Sequence, residues 1–301
     1  MELFRPAPEQ FADVPGFDYE PSFVDVGAAT PADEEVWMSY VEAGDGPETF
    51  LCLHGEPTWS YLYRKMLPTL AERGRVVAPD LLGFGRSDRF TDRDAYSVQL
   101  HYDALAAFVD ELDLTDITLV CQDWGGLLGL SYAAHNPERF ARLVPMNTGL
   151  PDGTQPIPDV WFDFAEVVET ADDLDLGRIV DKALVRDVDE AVLDAYRAPF
   201  TTEGSKAAAR TFTGLVPKEP DDPGAALLRE SKERLAEWEK PAFVLFGDSD
   251  PIFHGARDPL RELIPTASEQ PDVWVENAGH FLQEDAGEAV AEHIVDFVDR
   301  T

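Results

Sequence analysis

The chain has 301 residues, enough for one large domain or one domain with a sizeable insertion. Its 59 acidic residues against 24 basic ones give a formal net charge of −35, which makes nucleic acid a poor ligand. No run of about 18 apolar residues argues for a membrane span.

The opening "MELFRPAPEQFADVPGF" lacks a basic head followed by an apolar stretch, so no secretory leader is expected and a cytoplasmic location is. "SFVDVGA" and "EEVWMSYVEAG" read as a hairpin at a sheet edge. From Thr49 onward strands and helices alternate. "TFLCLHG" is a strand ending in a loop, and "TWSYLYRKMLPTLAERG" reads as an amphipathic helix closed by Gly74. "RVVAPDL", "ITLVCQ" and "ARLVPMN" are further strands. "YSVQLHYDALAAFVDELDL" and "GGLLGLSYAAH" are the helices between them. This alternation predicts a mostly parallel sheet with helices on both faces.

After Leu150 the texture changes to "PDGTQPIPDVW" and short helical pieces. Strand character returns in "PAFVLFGDSDP" and "PDVWVENAGH", and "QEDAGEAVAEHIVDFV" closes the chain. The expected organisation is one α/β core from 1–150 and 231–301, interrupted by a helical cap at 151–230. Cys52 and Cys121 lie in apolar runs and read as buried thiols. The acids are spread through "PADEEVW", "ETADDLDLGR", "RDVDEAVLD" and "KEPDDPG". An even spread repels itself at low salt, whereas at about 1 M salt a Debye length of roughly 3 Å screens that repulsion. The expectation is a protein of a saline cytoplasm.

The chemistry gathers at strand ends. Cys121-Gln122-Asp123-Trp124-Gly125 sits between strand and helix with the small-x-nucleophile-x-small spacing of a nucleophile elbow, a tight turn that exposes one side chain. Cys121 replaces the usual first glycine, and Asp123 stands at the nucleophile position. Asp248 and Asp250 follow a later strand in "FGDSDP", and His280 follows the last one in "ENAGHFLQED". Nucleophile, acid, histidine is the chain order of the α/β-hydrolase fold, which is the fold expected here. "LHGEPTW" lies where that fold places oxyanion-binding amides.

"HGEPTWSYLYRK", "APDLLGFGRSD", "CQDWGG" and "NAGHFLQE" resemble the haloalkane dehalogenases of the α/β-hydrolase superfamily, from about Phe23 onward. "HGEP" and the late acid resemble the branch that takes halide-binding tryptophans from both elbow and cap. A carboxylate is already ionised at neutral pH and needs no base before it attacks an sp³ carbon. A departing halide needs donors, and an indole N–H only donates. Trp124 supplies one, and the resemblance implies Trp161 as the second. His280 is the expected base for hydrolysis of the Asp123 ester. Either Asp248 or Asp250 could back it, and the resemblance points to Asp250. The backbone N–H groups of Glu56 and Trp124 are the expected oxyanion donors. The scheme implies a haloalkane substrate, no cofactor and no metal.

Two rival readings stand beside it. An epoxide hydrolase would use the same acid set with cap tyrosines as proton donors, Tyr196 being a candidate. A non-catalytic binding protein on this fold would keep the pocket and lose triad members.

Overall fold

A computed structural model describes residues 2–301. Its sheet is built around Ile117–Gln122, buried at every position. Ile117, Leu119 and Cys121 face one apolar cluster, and Val120 faces another. A strand covered on both faces needs no exposed polar alternation, so this one reads as a mostly apolar run in which even Thr118 and Gln122 are buried. Helices Val98–Glu111, Asp123–His135 and Ala225–Leu235 contribute to the first cluster. Helices Leu67–Ala71 and Leu282–Asp299 contribute to the second.

The expected edge hairpin is present, with Ser22 opposite Tyr40 and Asp25 opposite Trp37. The long extended element Trp37–Leu53 then doubles back on itself around Gly74–Pro79. Its first arm runs against that strand, from Tyr40 opposite Pro79 to Ala43 opposite Val76. Its second arm runs with it, from Thr49 opposite Arg75 to Leu51 opposite Val77. The second arm pairs in parallel with Ile117–Gln122, which pairs in parallel with Phe140–Met146. The segment after Pro241 continues the sheet: Leu143 N–H donates to Pro241 O, and Phe243 and Leu245 N–H donate to Leu143 O and Pro145 O. Pro145 has no N–H to return to Phe243, so this ladder is interrupted. The same segment continues into Phe246–Gly247, which forms a second parallel ladder with Trp274–Val275.

One expected helix is corrected. "TWSYLYRKMLPTLAERG" is a 3₁₀ turn at Ser60–Tyr63 followed by a short α-helix at Leu67–Ala71. Trp59 to Tyr63 are all fully buried, so the segment has no solvent face and is not amphipathic. The Asp80 carboxylate accepts from Ser60 N–H at 2.8 Å, and Pro68 opens the second piece. Gly74 begins a strand instead of capping a helix, because its backbone packs against Glu48.

Between Met146 and Ala225 lie helices Asp159–Thr170, Leu176–Lys182, Glu190–Arg197 and Ala207–Leu215. The expected division at 230 falls inside helix Ala225–Leu235. That helix's Leu228 and Leu235 share a cluster with Leu127 and Leu130 of the elbow helix. Both cysteines are free and buried, and burial pushes their thiols up.

A buried histidine gives the fold a pH signature. His101 stacks on Tyr96 and lies edge-on to Phe212, and neither ring nitrogen has a hydrogen-bond partner. Burial, with the neighbouring His54, lowers its pKa from 6.5 to about 3. Between those values the unfolded chain binds the extra proton. The stability due to neutral His101 is therefore complete above about pH 6.5 and is lost as pH falls towards 3. His101→Phe should flatten the loss between pH 6 and pH 4 by up to ~1.4 kcal/mol per pH unit. Urea unfolding at both pH values checks this, and equal slopes for both proteins would rule it out.

Candidate active site

Asp123 is the first residue of its helix and has φ of +51°. A non-glycine residue in that region costs about 1–3 kcal/mol unless its surroundings hold it. They do: Asp123 N–H donates to Asn147 O at 3.0 Å, and Thr148 Oγ1 donates to Asp123 O at 2.7 Å. The small residues of the elbow are required by contact. A Cβ on Gly125 would strike the Leu53 and His54 carbonyls, and one on Gly55 would strike the Asp123 carboxylate.

That carboxylate is buried. Glu56 N–H donates to Oδ1 at 2.8 Å, and the adjacent Trp124 amide also favours the charged carboxylate. Burial raises the Asp123 pKa above its ordinary value, and His280 and the two amides oppose the rise. Burial strips the carboxylate of its water shell, a condition that favours nucleophilic attack. The Glu56 side chain is 5% exposed and its Oε1 has no partner. Burial, reinforced by the charge of Asp123, raises its pKa well above its ordinary value, since each carboxylate disfavours charge on the other.

His280 Nε2 lies 3.8 Å from Asp123 Oδ2, and its Nδ1 lies 3.1 Å from Asp250 Oδ2. Asp250 also accepts from Ile252 and Phe253 N–H. Burial raises its pKa, but His280 and these amides outweigh it and hold the pKa below the ordinary value. For His280, burial disfavours the imidazolium. The charge and hydrogen bond of Asp250, with the charge of Asp123, outweigh burial and raise the pKa above 6.5. Of the two acids in "GDSDP", Asp250 is the one that meets the histidine. Asp248 is exposed and accepts from Asn277 and Ala278 N–H, holding the loop between strand and histidine.

A cavity of about 1060 Å³ opens over these groups. Asp123, Trp124, Glu56, His280 and Trp161 all reach it. Trp124 arrives with the elbow, and Trp161 arrives on helix Asp159–Thr170. Phe253 stacks on the His280 ring with 5.7 Å between centroids. Tyr196 is fully buried and donates to Glu284 Oε2 at 2.7 Å. Among the described residues, no tyrosine lines the cavity.

Three residues that the sequence did not single out tie the site together. Asn147 Nδ2 donates to Gly279 O and His280 O, its Oδ1 accepts from Gly247 N–H, and its own carbonyl holds Asp123 N–H. One residue thus joins nucleophile, acid and histidine loops. A polar residue at the carboxyl end of the parallel strand "ARLVPMN" was the available signal. Gln122 Nε2 lies 3.1 Å from His280 Nε2 and donates to His280 O at 3.2 Å. Asp285 accepts from Gly279, Val185 and Arg186 N–H, while His280 N–H donates to Ala183 O. The histidine loop is therefore hydrogen-bonded directly to the segment 183–186.

The family model described as alpha/beta hydrolase fold matches residues 48–287. The chain is 41% identical over 300 residues to a haloalkane dehalogenase of Psychrobacter cryohalolentis, covering 99% of this chain and 98% of that one. It is 42% identical over 305 residues to haloalkane dehalogenase 1 of Mycobacterium tuberculosis, with both chains covered in full. Among solved structures, the tetrameric haloalkane dehalogenase of Paraglaciecola agarilytica superposes with a TM-score of 0.90 at 36% identity, covering 97% of each chain. With an aspartate on the elbow of an α/β-hydrolase sheet and full-length kinship of this degree, the chain belongs to the haloalkane dehalogenases.

Proposed function

We propose that the protein converts haloalkanes to alcohols, halide and a proton by two displacements at Asp123. In the first, an Asp123 carboxylate oxygen attacks the halogen-bearing carbon, the carbon–halogen bond breaks, and halide leaves towards the Trp124 and Trp161 indoles. In the second, His280 Nε2 takes a proton from water, and the hydroxide attacks the Asp123 carboxyl carbon. The Glu56 and Trp124 amides hold the oxyanion and Asp250 stabilises the imidazolium; collapse breaks the bond to the alkyl oxygen, which takes the His280 proton and leaves as alcohol, and Asp123 gives up the remaining proton to solvent.

The observation that carries this reading is the buried Asp123 carboxylate at positive φ, 2.8 Å from Glu56 N–H and 3.8 Å from His280 Nε2. The Tyr196 position argues against an epoxide hydrolase, because its hydroxyl is bound to Glu284 and lies off the cavity wall. Retention of Asp123, Asp250 and His280 in contact argues against a binding protein. The cap in this reading spans 151 to about 224, ahead of the helix whose leucines join the core.

Bromide release from 1-bromobutane, with styrene oxide turnover measured in parallel, tests the reaction class. Diol without bromide would reject it. Trp161→Phe tests the halide site. A hydrogen bond to a charged group contributes about 1.5–3 kcal/mol, so kcat/KM should fall roughly 10- to 150-fold. An unchanged value would make Trp161 a packing residue.

The net charge of −35 also supports a saline working environment. The thermal midpoint should rise between ~0.1 M and ~3 M potassium chloride as surface repulsion is screened. A flat or falling midpoint would contradict it.

A further inference from the structure

We infer that the cavity outside the reacting centre is a groove for the alkyl tail of a long-chain, terminally halogenated alkane of roughly eight carbons or more. The inference rests on the dehalogenase reading and extends it to a substrate class. The cavity's volume of about 1060 Å³ lies at the upper end of small-molecule sites, ≈ 300–1,000 Å³. A four-carbon substrate would leave much of it unfilled.

The helix Asp159–Thr170 shows why the space is apolar. Trp161 and Val168, one stripe, are buried. Val160, Phe164 and Val167 form a second stripe on the cavity wall, at spacings of four and three residues that place them on one face. Val160 is 37% exposed and Val167 50% exposed, among the largest apolar exposures of the molecule. Helix Arg257–Leu263 presents Pro259, Leu260 and Leu263 to the same cavity. From Trp161 to Val167 the helix advances about 9 Å along its axis, so the second stripe leads away from the halide end. Two of the exposed large apolar side chains, Val160 and Val167, line this groove, and apolar exposure along a groove marks a ligand surface. This groove is continuous with the chamber that holds Asp123, and an occupant tethered to the reacting carbon fits it.

The test compares kcat/KM for 1-bromobutane and 1-bromooctane, by bromide release, in the wild type, Val167→Asp and Leu263→Asp. Burying one methylene contributes about 0.8 kcal/mol, a ceiling of roughly fourfold for each carbon added. The wild type should favour the octyl substrate at least about tenfold, well inside that ceiling. Both variants should pull the octyl-to-butyl ratio towards one. They lie on separate elements, and thermal melts verify that each is folded.

A wild-type ratio at or below one, or a ratio unmoved in both folded variants, overturns the proposal while butyl turnover leaves the dehalogenase reading intact. Failure to release bromide from either substrate defeats the dehalogenase reading itself. If Val167→Asp disperses an oligomer by light scattering and leaves the ratio unmoved, the face belongs to a second copy of this chain and the proposal is wrong.

Discussion

His280→Gln should release one equivalent of bromide per active site from 1,2-dibromoethane and then stop. The first displacement needs only the ionised Asp123 carboxylate, and that group keeps its two amide donors when the imidazole is gone. The second needs a base for the water proton, and His280 Nε2 is the group placed 3.8 Å from the carboxylate. Loss of a positioned general base lowers its step by about 10²–10⁴-fold, so the ester accumulates. Intact-mass analysis should find one alkyl group on Asp123, and steady turnover in this variant would contradict the scheme.

The electrostatics predict when the base becomes free. In the resting site burial opposes the imidazolium, but Asp250 and Asp123 together raise the His280 pKa above 6.5. Once Asp123 is an ester its charge is gone, and one of the influences raising that pKa is removed. The pKa of His280 falls in the intermediate that needs a neutral imidazole. The acid limb of ester hydrolysis should therefore lie at lower pH than the titration of His280 in the free enzyme.

The strand-and-helix alternation was legible because buried parallel strands and amphipathic helices write their periods locally. So was the elbow, since Asp123 and Gly125 are two residues apart and the tight turn dictates both. The segment 58–74 misled because its first part, Trp59 to Tyr63, is buried all round against distant elements, which local periodicity cannot report. Between Asp248 and Asp250 the resemblance points to Asp250, but the residues alone leave both open, because which carboxylate points inward from one short loop is set by the fold. Asn147 and Asp285 escaped notice for the same reason: their partners are set by topology, Asn147 reaching residues 100 to 133 positions away and Asp285 reaching Val185 across 100.

Asp123→Ala should reduce bromide release to the uncatalysed rate without unfolding the protein. A held nucleophile has an effective concentration on the order of 10⁵–10⁸ M, and no neighbour can replace it. Burial raises the Glu56 pKa well above its ordinary value and so disfavours a second carboxylate there, and His280 faces Asp123 across 3.8 Å. The substitution removes a carboxylate whose charge is disfavoured by burial, so the thermal midpoint should hold or rise, as expected where an active site trades stability for function. A low midpoint with residual bromide release would point to misfolding and a different nucleophile. The wild type offers the complementary reading. In a single turnover in ¹⁸O-water the alcohol takes its oxygen from the Asp123 carboxylate, and the label enters the carboxylate. Labelled alcohol in that first turnover would mean that water attacks the substrate directly, and Asp123 would then be a base.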